Sequence, residues 1–234
     1  MNVLADLHNH SCLSPCGSLE MSPGVLASKA AEMNIDMLAL TDHNSARNLP
    51  AFQMCCRASG VVPIFGMEIT TVEEAHVVGL FGSLDTALEV GDYIESRLPL
   101  IDGDSRLFGD QVYVDENEYI LGEVDRALFA ATDLSIDDVV DLVHSYNGMV
   151  FPAHIDRPVF SIVMQLGFLP DLPYDAVECI DRHCGIDTRG VPVISNSDAH
   201  YPQDIGKRTT RYRMRENSWD GLKSALQDLR KSEK

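Results

Sequence analysis

The sequence is short of positive charge and of tryptophan. It has 18 Lys and Arg residues against 36 Asp and Glu, a formal net charge of −18 at pH 7, and a single Trp. A DNA duplex or an anionic membrane binds a basic surface, so this balance argues against both as the main partner. It also gives no sign of the basic, aromatic-rich groove that proteins use for single-stranded nucleic acid.

Long hydrophobic runs are missing as well. The apolar stretches at 36–40 and 148–153 are far shorter than the roughly 20 residues of a membrane-spanning helix. The first ten residues, MNVLADLHNH, show no basic segment followed by an apolar one, so no secretory signal is predicted. We therefore expect a cytoplasmic protein with no membrane partner, whose six cysteines are thiols rather than a disulfide framework. The oligomeric state is left open.

Short apolar runs alternate with helical patterns along the chain of 234 residues. The predicted strands are 3–7, 36–40, 61–65, 69–72, 76–81, 148–153, 176–180 and 191–195, and the predicted helices are 23–33, 46–59, 84–98, 136–146 and 218–231. This alternation is typical of βαβ units and a mainly parallel sheet in one α/β domain spanning 1–234. The acidic, turn-rich stretch 99–133 interrupts it, and we interpret that stretch as an insertion over one face.

Six of the eight histidines are expected at or just past the C-terminal ends of these strands, namely His8, His10, His43, His76, His154 and His200. In barrel folds, reacting groups gather at that rim. His8 and His10 are two residues apart and so share one face of a strand end. Glu68 follows the third strand, and Asp198 precedes His200 by two residues. A lone histidine at a strand end is usually structural, but six of them with two carboxylates indicate a site for zinc, manganese or iron.

The motifs that contain these residues follow a fixed order. They are HNH at 8–10, TDH at 41–43, GMEIT at 66–70, EAHVVGL at 74–80, PAHID at 152–156 and SDAH at 197–200. Together they resemble the PHP family, named for polymerase and histidinol phosphatase domains, from the first predicted strand to the last. The resemblance implies a distorted (β/α)7 TIM-like barrel with two or three divalent metal ions at its C-terminal rim.

The resemblance also implies a ligand set for each ion. His8, His10, Glu68 and Asp198 match the ligands of a first ion; Glu68, His76 and His154 match those of a second, with Glu68 bridging; and His43 and His200 match two ligands of a third. The third site usually has a His or Asp in the loop after HNH, where this sequence has SCLSPCG. Either Cys16 ligates as a thiolate, which suits zinc better than manganese, or it is a bystander and the third site is weaker or empty.

A phosphoesterase mechanism follows from such a centre. A hydroxide bridging two ions is a nucleophile at neutral pH and would attack phosphorus. Asp198 would orient the hydroxide or take its proton, and His200 or His43 would protonate the leaving group if its metal is absent. Arg157 and Arg47 are candidate phosphate contacts. For Arg157 the competing interpretation is a surface salt bridge.

Three functions remain open at this point. The leading one is hydrolysis of a small phosphorylated metabolite or nucleotide. The second is a nuclease that trims single-stranded ends, because PHP domains also accompany DNA polymerases. The third is a non-catalytic metal-binding domain, which the departure at Cys16 keeps open. The identity of the substrate and of the metal is not encoded in these motifs.

Overall fold

The computed structural model describes residues 1–101, 109–181 and 183–232. Its strands are β1 (Asn2–Asp6), β2 (Met37–Leu40), β3 (Val62–Thr70), β4 (His76–Phe81), β5 (Val112–Val114), β6 (Ile120–Glu123), β7 (Met149–Pro152), β8 (Val177–Glu178), β9 (Val193–Ile194) and β10 (Thr210–Arg213). Its α-helices are α1 (Pro23–Glu32), α2 (Leu49–Ser59), α3 (Leu84–Ser96), α4 (Ile136–Ser145), α5 (Ile162–Leu166) and α6 (Trp219–Ser232), and a 3-10 turn covers Pro202–Asp204.

Six strands form the main sheet in the order β10-β1-β2-β3-β4-β7. The pairs β1–β2 and β2–β3 are parallel, whereas β10–β1, β3–β4 and β4–β7 are antiparallel. The expectation of a mainly parallel sheet is therefore wrong for this sheet, where antiparallel pairs prevail. The reason is that only residues 71–75 separate β3 from β4, which is too short for a crossover and long enough for a hairpin.

Backbone hydrogen bonds curl this sheet toward the separate parallel pair β8–β9. On one side Asp175 N donates to Val150 O and Ile155 N donates to Glu178 O, which joins β7 to β8. On the other side Asp198 N donates to His8 O and His10 N donates to Ala199 O, which joins the end of β9 to the end of β1. The result is a mixed α/β fold with a strongly curled sheet. The seven-fold βα repeat of a complete barrel stays a prediction.

Two apolar layers hold the curl. The outer layer lies between the sheet and the helices and includes Leu26, Phe52, Val90 and Val143. The inner layer is enclosed by the curled strands and includes Leu7, Ala39, Phe151 and Tyr212. Leu222 and Leu226 of α6 belong to this inner layer, so α6 covers the end of the curled sheet opposite the strand termini that carry the histidines. None of the helices in the described ranges is both long and apolar enough to cross a membrane.

Most predicted elements are present with shifted ends. The predicted strands at 61–65 and 69–72 are one strand, β3, because residues 66–69 keep pairing with β4. The helix predicted from 46 begins at Leu49, with Pro50 in its first turn, where proline is tolerated. The strands β5, β6 and β10 and the short helix α5 were not predicted.

Part of the predicted insertion, 102–108, lies outside the described residues, and the rest packs over the loops after β1 and β2. In this part β5 and β6 form an antiparallel hairpin. Val114 N donates to Asn48 Oδ1, and Asn44 Nδ2 donates to the carbonyls of Leu128 and Ala130. These bonds join the stretch to the loop that carries His43. The boundaries of a single domain over 1–234 stay a prediction.

Candidate metal centre

His8 and His10 follow β1 on the same face and are fully buried. The Nδ1 atom of each ring is held from behind, by Glu178 Oε2 at 2.9 Å from His8 and by Ser14 Oγ at 3.0 Å from His10. Both Nε2 atoms therefore point toward Glu68. His8 Nε2 lies 3.3 Å from Glu68 Oε1, and His10 Nε2 lies 3.3 Å from Glu68 Oε2.

Glu68 is the centre of the cluster. Its buried carboxylate also lies 3.1 Å from His43 Nδ1, 2.9 Å from His76 Nδ1 and 3.1 Å from His154 Nε2. Five imidazoles thus surround one carboxylate. The sequence placed Glu68 after the third strand, but it lies inside β3, paired with Val78 of β4.

His76 reaches the same rim from the opposite chain direction. It was predicted at the C-terminal end of a strand, but it is the first residue of β4. Because β4 is antiparallel to both β3 and β7, its N-terminal end lies beside the C-terminal ends of those strands. The expected position was wrong, although the reversal still brings the imidazole to Glu68.

Three groups of side chains present ligand atoms within 4.8 Å of one another: His8, His10, Glu68 and Asp198; His43, Glu68 and His76; and His10, His43 and His200. The first equals the expected first ligand set. The second has His43 in addition to the expected His76, with His154 also against Glu68, and the third has His10 in addition to the expected His43 and His200. His10, His43 and Glu68 are each shared by two groups, so the three groups are contiguous.

The histidines and carboxylates of the cluster shift the pKa values of one another. Burial alone would raise the pKa of Glu68, but His76, His8 and His43 outweigh it and hold that pKa well below its usual value. Burial would lower the pKa of His8, but the carboxylates of Glu178, Glu68 and Asp198 raise it well above the usual value. For His43 burial prevails and lowers the pKa strongly, and burial also lowers the pKa of His200 to about 4.

These features suit divalent cations. His43 and His200 are neutral near pH 7, the state in which imidazole ligates. Three buried atoms of the cluster, His43 Nδ1, His154 Nδ1 and Asp198 Oδ1, form no hydrogen bond of regular geometry within the described residues. His43 Nδ1 nevertheless lies 3.1 Å from Glu68 Oε2, and Asp198 Oδ1 lies 3.2 Å from His10 Nε2. Unpaired buried polar atoms are costly, and a cation coordinated by them would remove that cost. The donor set of imidazoles and carboxylates fits zinc, manganese or iron.

The backbone at the rim is strained at three residues of the site. Asn44, His154 and Asp198 have positive φ values of 51°, 31° and 49°. Such conformations are uncommon for residues other than glycine and persist where surrounding contacts fix them. His154 N donates to Glu178 Oε2, and Asp198 N donates to His8 O, so neighbouring parts of the site hold both residues.

Asp42 and Ser14 support the ligands and were missed by the sequence analysis. Ser14 Oγ donates to Asp42 Oδ1 at 2.7 Å, and Ser11 contributes its N–H and hydroxyl to the same buried carboxylate. Since Ser14 also contacts His10, Asp42 fixes that ring through one intermediate. The signal was the TDH motif itself, because neighbouring residues point to opposite sides, which places Asp42 behind His43.

Of the two predicted phosphate contacts, the structure brings one to the cluster. Arg157 Nη1 lies 3.0 Å from Asp198 Oδ2, so its ion pair is formed at the site. Arg47 instead makes a bidentate contact with buried Glu95, at 2.9 Å from Nε and 2.8 Å from Nη2, and lies over the Tyr113 ring. Its guanidinium is thus directed to Glu95 and not to the described cluster residues.

A cavity of about 240 Å³ opens beside the cluster. Its lining includes His43, His76, Cys16 and the half-exposed rings of Phe129 and Phe160. Cys16 is exposed at this opening and is not a member of the three ligand groups found among the described residues. Its role as a ligand stays a prediction.

Comparison with known proteins finds two family profiles that together cover most of the chain. The sequence profile of the PHP domain matches residues 6–165, and a profile described as PHP-associated matches residues 186–230. The chain is 40% identical over 83 residues to the 5'-3' exoribonuclease Rnm of Salmonella typhimurium. That match covers 33% of this chain but only 27% of the exoribonuclease.

Two solved structures show a similar fold. The lesion-specific endonuclease PfuEndoQ from Pyrococcus furiosus matches with a TM-score of 0.73 and 17% identity, over 97% of this chain and 56% of the endonuclease. A Bifidobacterium adolescentis protein, whose assignment as a metal-dependent phosphoesterase is itself an inference, matches with a TM-score of 0.61 and 17% identity over 95% of both chains. At such identity these likenesses concern the fold.

Proposed function

The chain belongs to the PHP family, and from that membership we propose that it is a metal-dependent hydrolase of phosphate esters. The observation that carries the proposal is Glu68, whose carboxylate contacts five imidazoles within 3.3 Å at one rim of the sheet. Three contiguous ligand groups, two of which contain Glu68, are compatible with the two or three ions that the family resemblance implies. Buried polar atoms without a regular hydrogen bond are uncommon in folded proteins, and bound cations would satisfy those of this cluster.

The residues have distinct tasks in this proposal. His8, His10, Glu68 and Asp198 hold one cation, Glu68 with His76 and His154 holds a second, and His43 and His200 hold a third. When bound, divalent cations lower the pKa of water at the site and neutralise charge on phosphoryl oxygens.

Asp198 and Arg157 lie where substrate would meet the cluster. Asp198 Oδ2 accepts a hydrogen bond from Arg157 Nη1 at 3.0 Å, and the Asp198 side chain is only 13% exposed. Arg157 is about one-third exposed, so its guanidinium can exchange part of this contact for a phosphoryl oxygen. Asp198 then orients the attacking water and accepts its proton. If the third cation is absent, His200 or His43 protonates the leaving group once the negative charge of the substrate raises the pKa that burial lowers.

The substrate is either a small phosphate ester, such as a nucleotide, or the end of a nucleic acid. The small substrate is favoured by the narrow cavity of about 240 Å³ and by the overall charge of −18. The nuclease is favoured by the similarity to an exoribonuclease, which reaches 40% identity over 83 residues. The matched segment is a minor part of that enzyme, so its activity enters here as a second candidate.

Metal analysis combined with a substrate panel tests the proposal. Protein purified without chelator is analysed for metals per chain and assayed against phosphate monoesters, diesters and short single-stranded oligonucleotides. We expect two or three transition-metal ions per chain and turnover of at least one class. His10→Ala and Glu68→Gln should each lower turnover by at least about 100-fold, whereas exposed Glu116→Gln is the control.

The outcomes separate the alternatives. Turnover of small esters without turnover of oligonucleotides selects the phosphatase, and the reverse selects the nuclease. A protein that binds metals but hydrolyses none of these substrates with Mn²⁺, Zn²⁺ or Fe²⁺ supplied would establish the non-catalytic interpretation.

A further inference from the structure

Positive charge is concentrated in one short segment of this acidic chain. Between positions 207 and 215 there are five of its 18 Lys and Arg residues and no Asp or Glu. They are Lys207, Arg208, Arg211, Arg213 and Arg215. In a molecule of net charge −18, such a segment creates a local potential opposite to that of the remainder.

β10 arranges these residues as a row. Tyr212 and Met214 are buried in the inner layer, whereas Arg211 and Arg213 are exposed, as the two-residue period of a strand requires. Two residues along a strand cover roughly 7 Å. Within the described residues, neither Arg211 nor Arg213 forms an ion pair, so both guanidinium groups are available to a ligand.

The row begins at the rim that carries the metal centre. Arg208 donates to Asn196 O and Ser197 O, directly before Asp198. β10 then runs antiparallel to β1, with Arg211 beside Leu4 and Arg213 beside Asn2, so it leads away from His8. A groove of about 690 Å³ accompanies its upper part and is lined by Lys207, Arg211 and the exposed His183.

We infer that this groove and row, Lys207 to Arg213, bind the sugar-phosphate backbone of a single-stranded polynucleotide whose terminal phosphate lies at the metal centre. The inference rests on the proposed phosphoesterase activity and specifies its substrate class. Arg211 and Arg213 are roughly 7 Å apart along the strand, about twice the ~3.4 Å rise between stacked nucleotides in one strand of a duplex. An extended single strand, in which successive phosphates lie farther apart, therefore fits the row better than a duplex.

The acidic neighbours define where the track ends. Glu216, Asp220 and Asp228 border the pocket that contains Arg213 and Arg215, and their carboxylates repel further phosphates. Asp181 lies in the upper groove, and Asp204 is 3.6 Å from Lys207. The track therefore holds only the first few nucleotides after the metal centre.

Charge reversal on the row is the test. Arg211→Glu, Arg213→Glu and the double variant are compared with wild type for binding of 5'-phosphorylated single-stranded RNA and DNA dodecamers, by fluorescence anisotropy over a salt series. We expect affinity to fall at least about fivefold per arginine near 0.1 M salt, and the salt slope to fall by about 0.7 per lost phosphate contact. The ratio of kcat/KM for the dodecamer to that for p-nitrophenyl phosphate should fall in parallel.

Arg57→Glu is the matched control. Arg57 is an exposed arginine on α2, a helix that packs against α1 and β3, and its reversal changes the net charge by the same amount. An equal loss of affinity in this control would show a general charge effect and overturn the inference. Unchanged dodecamer affinity in the double variant would also overturn the inference. The same holds if altered self-association is the only effect of the double variant, or if the wild type binds phosphatidylserine vesicles in preference to the dodecamers.

The inference and the proposed function fail separately. Dodecamer binding that depends on Arg211 and Arg213, in a protein without turnover of any ester, would keep the track and reject the enzyme. Turnover of small esters without dodecamer binding would keep the enzyme and reject the track.

Discussion

Glu178 fixes two of the proposed ligand residues, His8 and His154, without being proposed as a ligand itself. Its Oε2 contacts His8 Nδ1 at 2.9 Å and also accepts the backbone N–H of His154, and its Oε1 accepts from Asn196 Nδ2. Burial would raise the pKa of Glu178, but His8 outweighs that effect and lowers it. A carboxylate behind a histidine fixes the ring and makes its other nitrogen a better ligand.

We therefore predict that Glu178→Gln weakens metal binding by about 10- to 100-fold while leaving the protein folded. Protein stripped of metal with a chelator is titrated with Zn²⁺ or Mn²⁺, and calorimetry of this titration measures the change in metal affinity. Glu95→Gln is the control, because Glu95 is also buried but pairs with Arg47. Equal metal affinities for wild type and Glu178→Gln would contradict the prediction.

The sequence identified the candidate ligand residues, but only some of the residues that support them. Motif order and residue type identified His8, His10, Glu68 and Asp198, and the structure brings all four together. Periodicity gives the face on which a side chain lies and not its partner, so the bond from Ser14 to Asp42 was beyond it. The pairing of Arg47 with Glu95 was hidden for the same reason, since 48 residues separate them.

At the scale of elements, the reversed direction of β4 shapes the site. The sequence showed the necessary signal, because the two predicted strands around residues 73–75 are too close for a crossover helix. Apolar patterns locate strands but carry no direction, so the general βα rhythm suggested a parallel sheet. The helices were more predictable, since Ser22, Ser83 and Ser135 cap α1, α3 and α4 through their side chains.

Glycine at position 79 lets α4 approach β4 closely. A Cβ atom there would lie 2.8 Å from Val143 Cγ2, and Val143 is fully buried. We predict that Gly79→Ala lowers the free energy of unfolding by about 1–3 kcal/mol, since a β-branched side chain cannot move aside easily.

A double-mutant cycle with Val143→Ala checks this cause. Removing the Val143 methyl groups creates the space that the methyl group added by Gly79→Ala needs. The double variant should therefore be more stable than the sum of the single effects by about 1 kcal/mol. Urea unfolding measures all three variants. Strict additivity would show that Gly79 is required for a different reason.

At the scale of the whole molecule, the proposed metal centre connects distant parts of the chain. One ligand group contains residues from His8 to Asp198, and the three groups together draw on strands on both sides of the curled sheet. Binding free energy at such a site is also folding free energy, because the unfolded chain does not present the ligands together.

Metal removal should therefore destabilise the protein. At a free metal concentration about 1,000 times Kd, binding contributes about 4 kcal/mol per site, which for a chain of this size corresponds to about 10 °C in Tm. We expect EDTA to lower the Tm of wild type by about that amount for each ion removed, measured by calorimetry. Glu68→Gln should lose less Tm with EDTA than wild type, because two of the three ligand groups contain Glu68. A wild-type Tm unchanged after verified metal loss would contradict the expectation.

The position of α6 has a consequence for how a substrate enters and leaves the site. Leu222 and Leu226 cover the far end of the curled sheet, and apolar side chains fill the space that its strands enclose. Buried apolar side chains fill that layer, so we expect a substrate that enters at the histidine rim to leave by the same opening. A long substrate would therefore not thread through the interior of the curled sheet. It would have to bend at the histidine rim and continue along the outer surface of the sheet.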